Sequence, residues 1–323
     1  MGILTKLDRV RSASSAPGKN IRIGVIGGAG RMGSFLLSVF QKAGYRNLCL
    51  SDVSGEAGKV ADSLGVQIVE NNTALAEQCD MTIVSVLPMD STPKVIDEVG
   101  PSIKENALLM HQTSIQSPGA EAMKNFPRCS HMGIHIMSQP GANLSLKNTN
   151  VVLIPEKEDD VWTDRIKQIF FKTKAKLYLA DAASHDKLLA LIHGQGHLSV
   201  LLAGYVMATA CGQFGITMDQ LSQIQTQGFL LGMLNLGRMV SSNNPQIYSD
   251  IQSHNPYTAQ VRELFREGLD YFCSATESGE LDPFRRAFEQ MTAFYGIDRA
   301  NWAKQASDDL ISTMNPYPGD TKF

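Results

Sequence analysis

"NIRIGVIGGAGRMGSFLLSVFQKAGY" (residues 20–45) opens with a β-branched apolar run, passes through Gly28-x-Gly30-x-x-Gly33 and continues with helical apolar spacing as far as Gly44. The next apolar run, "NLCLSD" (47–52), reads as a second strand that ends in Asp52. A lone G-x-G-x-x-G says little. Between a strand and a helix, with an acid about 20 residues further on, it becomes a dinucleotide-binding fingerprint. Gly28 is expected to permit the tight turn, Gly30 to let the backbone approach a pyrophosphate, and Gly33 to let helix and strand pack closely. The helix start then offers free N–H groups to the phosphates. Asp52 would accept hydrogen bonds from the adenosine ribose hydroxyls and repel a 2′-phosphate. "SDVSGE" (51–56) holds no basic residue to offset that repulsion, so the expected cofactor is NAD.

Further apolar strands follow in "MTIVSVLP" (81–88), "ALLMHQTSI" (107–115) and "NVVLIP" (150–155), extending a parallel sheet to about residue 155. Ligands of such sheets lie beyond the carboxyl ends of the strands, where Pro88, His111, Thr113 and Ser114 fall. The expected cofactor contacts are Gly28, Gly30, Arg31, Met32, Gly33, Asp52, Leu87 and Thr113. His135 stands in "MGIHIMSQPGA" (132–142), just before a Pro-Gly turn signal. On that evidence it is either a hydrogen-bonded core side chain or a reactive group at the crevice.

From about residue 184 the periodicity is helical with hardly any strand signal. At 100° per residue Asp186, Ala190, His193 and His197 share one stripe, and polar groups on such an apolar helix need partners. "HGQGH" (193–197) has metal-ligand spacing but lacks the glutamate of H-E-x-x-H and an evident third ligand, so no metal is expected. His193 reads as a packing residue. Arg238, ending an apolar helix, either caps carbonyls or captures a substrate carboxylate. The fold class is therefore α/β: a doubly wound Rossmann sheet over 21–180, after a flexible tail over 1–20, and an all-helical domain over 181–323.

With 29 basic against 32 acidic residues among 323, no strong field invites nucleic acid or an anionic membrane. Five dispersed cysteines without a C-x-x-C pair argue for a reducing compartment, the cytoplasm, and against a disulfide framework. Even "LLALIHGQGHLSVLLAGYVMA" (188–208) is interrupted by two histidines, a glutamine and three glycines, so no membrane span is expected. The Ser-rich first 20 residues are either a frayed tail or a transit-peptide remnant.

"VIGGAGRMG" (25–33), the "TS" of "HQTSIQS" (111–117), "GIHIM" (133–137), "SHDKLLALIHGQGH" (184–197), "LGRMVSSNNPQIYSDI" (236–251) and "FRRAFEQMTAFYG" (284–296) together resemble the prephenate/arogenate dehydrogenase family. The resemblance implies a Rossmann domain followed by a helical domain that dimerises, so the expected assembly is a homodimer. It implies that His135 takes the proton of the C4 hydroxyl of a cyclohexadienyl carboxylate while hydride leaves C4 for the nicotinamide. Ser114 would orient His135, Arg238 would hold the ring carboxylate, and His197 would line the substrate site. His185 and Asp186 match an H-D pair, read as scaffolding. Departures from the family's usual pattern are Ile136 where proline commonly follows the histidine, His111 and Gln116 in place of an acid and a lysine, and Leu230 at a position that is arginine in some members. They leave prephenate, arogenate and 4-amino-4-deoxyprephenate open as substrates. Two other readings remain: a β-hydroxyacid dehydrogenase using Lys187, and a cofactor-sensing protein without turnover.

Overall fold

The computed structural model describes residues 3–7, 20–138 and 145–313. The Pro-Gly signal at 140–141 and most of the expected tail lie outside the described residues. The chain divides into a sheet unit, Met1–Ala190 with Gln246–Tyr257, and a helical unit, Leu191–Pro245 with Thr258–Phe323.

The strands are β1 (Thr5–Leu7), β2 (Ile23–Ile26), β3 (Leu48–Ser51), β4 (Gln67–Ile68), β5 (Met81–Val84), β6 (Leu108–Gln112), β7 (Ser130–Ile136), β8 (Asn150–Pro155) and β9 (Lys176–Leu179). Among the described residues they form one sheet in the order β1-β9-β8-β7-β6-β5-β2-β3-β4. The run β7-β6-β5-β2-β3-β4 is parallel throughout. β7 and β8 pair antiparallel, as do β1 and β9. The order reverses at β2, whose neighbours are β3 and β5, and this reversal creates the crevice in which such sheets bind ligands.

The strands read as continuous apolar runs because both faces are covered. On one face Ile23, Val25, Met81, Ile83, Leu108 and Met110 pack with α1 (Arg31–Lys42), α2 (Ala57–Leu64) and α6 (Val161–Lys172). On the other, Ile26, Val84 and Leu109 meet α3 (Asn72–Gln78), α4 (Ser91–Val99) and α5 (Ser117–Met123). The sheet runs past residue 155 to β9, and β7 is a full strand. Two histidines and a glycine hide β7 from a hydropathy reading, yet ladders to β6 and β8 on both sides fix it. Thr5–Leu7 departs from the expected flexible tail: edge strand β9 offers a free ladder, and these residues take it.

The helical unit holds α8 (Gly196–Phe214), α9 (Met218–Gln223), α10 (Gln227–Ser241), α12 (Thr258–Ser278), α13 (Asp282–Tyr295) and α14 (Ile297–Ser312). α7 (Ala182–Leu189) and nearly all of α11 (Pro245–His254) belong instead to the sheet unit, so the division does not fall at residue 180. Asn255 explains part of this, since its Nδ2 donates to the Asp186 carbonyl at 2.9 Å. Residues Ala190–Gln195 form a π-helical turn. The wider turn breaks the 100° phase, so the expected stripe from Asp186 to His197 is not continuous. The helical run Ala182–Phe214 is long and apolar enough to cross a membrane by length and composition. That differs from the expectation, because Leu, Val and Ala around the isolated polar residues outweigh them.

Candidate active site

The turn after β2 is built from glycines for steric reasons that can be assigned one by one. Gly27, not Gly28, takes the left-handed conformation (φ 75°), and a Cβ there would stand 2.2 Å from the Ser85 carbonyl oxygen. Gly28 is needed for packing instead: its Cβ would come within 2.4 Å of Leu50 Cβ. At Gly33 a Cβ would meet the Gly27 carbonyl oxygen at 2.2 Å, the close helix-turn approach expected of the third glycine. The Gly27-Gly28 doublet directly after the last strand residue was the signal for Gly27, which the motif spacing passes over.

α1 starts after Gly30 with no side-chain cap and no acid in its first turn. Its free N–H groups are therefore not already neutralised, and this start suits a pyrophosphate. Arg31 is exposed and Met32 half-buried at that start, and Leu87 is exposed beyond β5. Asp52, just past β3, accepts from Ala29 N at 2.9 Å through Oδ2 and from Ser54 N at 2.8 Å through Oδ1. The carboxylate is thereby fixed beside the glycine turn. These features fit a dinucleotide, and because β2, β3, β5, β6 and β7 run parallel, the glycine turn, Asp52, Leu87, Thr113 and Ser114 all follow carboxyl ends along one edge of the sheet, with His135 one residue before the end of β7.

At that edge the structure brings His135 and Ser114 together: Ser114 Oγ lies 3.3 Å from His135 Nε2. His135 Nδ1 lies 3.0 Å from His185 Nε2, and His185 Nδ1 lies 2.9 Å from Asp186 Oδ1. His135, His185 and Asp186 are 3%, 1% and 0% exposed, while Ser114 is half-buried. Both carboxylate oxygens of Asp186 accept backbone N–H groups, Gln116 N on Oδ1 and Ser117 N on Oδ2, each at 2.8 Å. Burial pushes the Asp186 carboxyl up. The hydrogen bonds from His185, Ser117 and Gln116 outweigh it and hold the group below the usual carboxylate range. The H-D pair thus caps the start of α5, and His185 also contacts His135.

Gln116, standing where the family commonly has lysine, donates through Nε2 to the carbonyls of Thr113 at 2.6 Å and Ile134 at 3.3 Å. It ties the end of β6 to β7 and so sets the spacing of Ser114 and His135. Thr113 is buried, and its Oγ1 accepts from Ile115 N at 3.4 Å. His111, one residue before the end of β6, does not face the open edge: it is fully buried against Gly119 and Gly133, and burial lowers its pKa to about 4.

In the helical unit His193 and His197 stack, with ring centroids 5.0 Å apart and planes 11° apart, and burial lowers the pKa of His197. Arg238 is exposed in the last turn of α10. Among the described residues no three His, Cys, Asp or Glu side chains are placed to share a metal ion.

The family described as prephenate dehydrogenase, nucleotide-binding domain, matches residues 38–179. The match begins inside α1, so the reading of the glycine turn stands on its geometry. A probable arogenate/prephenate dehydrogenase of Methanocaldococcus jannaschii is 24% identical over 283 residues, covering 86% of this chain and 62% of that protein. The chain thus spans less than two thirds of that relative's length. A 4-amino-4-deoxyprephenate dehydrogenase of Streptomyces pristinaespiralis is 23% identical over 84% of this chain and 90% of its own. The fold is shared with prephenate dehydrogenase from Aquifex aeolicus in complex with hydroxyphenyl propionate and NAD+, at TM-score 0.64 and 16% identity over 94% of this chain and 100% of that one. The segment 38–179 thus matches a prephenate dehydrogenase nucleotide-binding domain, and over 84–86% of its length the chain is similar to dehydrogenases named for arogenate, prephenate or 4-amino-4-deoxyprephenate.

Proposed function

We propose that the protein catalyses NAD-dependent oxidative decarboxylation of prephenate, giving 4-hydroxyphenylpyruvate, carbon dioxide and NADH. The observation that carries this reading is His135 Nε2 directed at Ser114 Oγ on the same sheet edge as the glycine turn. A nicotinamide cofactor held at the glycine turn and Asp52 would supply the hydride acceptor for C4. His135 takes the hydroxyl proton at Nε2, a task that suits an imidazole near neutral pH without a metal. Ser114 orients the ring of His135. Arg238 holds the ring carboxylate, whose loss as carbon dioxide leaves an aromatic ring, and His197 lines the substrate site. Asp52 selects NAD over NADP through the adenosine ribose. The relative that acts on 4-amino-4-deoxyprephenate keeps that analogue, and arogenate, as second substrates of the same chemistry. The exposed apolar face of α8 supports a homodimer joined through the helical unit.

The test is NADH formation from prephenate, arogenate and 4-amino-4-deoxyprephenate, each with NAD and with NADP, for the parent and for His135→Asn. Turnover in the variant is expected to fall by about three orders of magnitude with little change in KM, because the base acts in the transition state. NADH formation from none of the three acids, or a variant as fast as the parent, would overturn the reading.

A further inference from the structure

We propose that His185 and Asp186 are positioning residues that fix the tautomer of His135, so that its basic nitrogen is Nε2, and that draw the charge left on His135 inward after it takes a proton. The proposal rests on the assignment of His135 as the base and goes beyond it to two residues whose family resemblance implies only scaffolding.

The order of donors follows from the acceptor at the far end. Asp186 is ionised, already accepts two backbone N–H groups, and has no proton to give. The ring nitrogen facing it at 2.9 Å, His185 Nδ1, must therefore donate. A neutral imidazole that carries its proton on Nδ1 presents a lone pair at Nε2. That lone pair faces His135 Nδ1 at 3.0 Å, so His135 also carries its proton on Nδ1. Its own Nε2 is then unprotonated and points at Ser114, the side on which the strand ends open. Each ring is held by the next and the last is held by the α5 backbone, which makes the arrangement rigid as well as directional.

The same chain acts once the proton has moved. His135 then donates from Nδ1 as a cation, and His185 passes the attraction of the Asp186 carboxylate to it through two short contacts. All three groups are nearly inaccessible to water, so this attraction is screened far less than at a surface. The competing arrangement has His185 protonated on both nitrogens and His135 protonated on Nε2. It satisfies the same distances and leaves His135 unable to accept a proton there.

Asp186→Asn is a poor probe because it also disturbs the cap on α5. The useful variants change only the middle ring. His185→Phe keeps a ring and removes the acceptor, whereas His185→Gln offers a carbonyl oxygen that can accept from His135 Nδ1. In His185→Phe, kcat is expected to fall about 100-fold, with KM and the affinity for NAD within about threefold of the parent, as for loss of a group acting only in the transition state. His185→Gln should regain at least about tenfold of that loss, which a merely structural role would not produce.

Nitrogen-15 NMR of the unmodified protein gives a readout independent of activity. The His135 resonances, assigned by their absence in His135→Asn, should show a protonated Nδ1 and a bare Nε2. A protonated Nε2 in the neutral ring would overturn the proposal even if His185→Phe failed to fold. Parent-like kcat in His185→Phe would overturn it while leaving His135 as base, whereas an active His135→Asn would remove the reading on which both stand.

Discussion

In the sheet unit Leu37, Leu50, Met81, Ile83 and Leu108 are wholly buried, whereas α8 of the helical unit leaves Leu202, Tyr205, Val206 and Phe214 exposed by 45%, 73%, 55% and 72%. One unit closes its cores within itself, on both faces of a sheet. The other has few inward apolar residues, Met239, Val261 and Ala275 among them, and carries much of its apolar surface outward. A hydrophobic sequence pattern thus states only that a face must be covered. In the sheet unit the covering partner is local and legible. For α8 it lies outside the unit's own packing, and a second copy of the chain is the partner proposed here.

The contrast predicts different failures. The largest effect is expected in the sheet unit, at Gly27→Val. A β-branched side chain would be forced to positive φ with its Cβ on the Ser85 carbonyl, so both the backbone and the β2–β5 junction would have to shift. A cost of about 3 kcal/mol or more is expected, with loss of NAD binding. Chemical denaturation and calorimetric titration with NAD measure the two. Retention of parent stability would mean that this turn is less constrained than its geometry requires.

In the helical unit the corresponding break is Val206→Asp, which should leave the fold intact and separate the subunits. In an isologous dimer each substitution enters the interface twice, so the penalty is doubled and the dissociation constant rises by roughly tenfold for every 1.4 kcal/mol. Sedimentation velocity should show a dimer for the parent and a monomer for the variant, with NAD binding by the sheet unit unchanged. A parent that sediments as a monomer at micromolar concentration would remove the proposed partner of α8.

What the sequence disclosed divides along the same line. The β2–turn–α1 unit, the acid closing β3 and the strands β5, β6 and β8 are legible because each rests on local chemistry: a glycine requirement, a strand-length apolar run, a charge at a strand end. The sequence also names Ser114 and His135, which the structure places 3.3 Å apart, although it does not disclose β7 itself. Pairing on both sides, rather than its own composition, makes that segment a strand. The contact between His185 and His135 joins residues 50 apart, and no spacing rule reaches it. The π turn at Ala190–Gln195 was hidden for the opposite reason, since a uniform helical phase assumes what the turn breaks. Gly27 was within reach, because two successive glycines after a strand permit either one to carry the turn.

A third effect arises inside the sheet unit, where closure has a pH cost. His111 sits fully buried in β6, and among the described residues neither ring nitrogen has a hydrogen-bond partner. Burial lowers its pKa to about 4; the Asp186 charge opposes the shift and His185 adds to it. The unfolded chain takes up a proton near the ordinary histidine value of about 6.5, while the folded protein refuses it until about 4. The unfolded state therefore binds more protons throughout this window, and stability falls as pH falls, by about 3 kcal/mol in all. Asp186 acts in a separate window. Its lowered carboxyl pKa contributes stability that is present above the ordinary carboxylate range and is lost only as pH drops below it. His197, also lowered by burial, tilts the curve in the same direction as His111, so the informative quantity is the difference between proteins. In His111→Leu the decline in unfolding free energy between pH 6.5 and 4, measured by urea denaturation, should be shallower than in the parent. Equal slopes would show that the proton excluded by the folded protein is excluded somewhere other than the interior of β6.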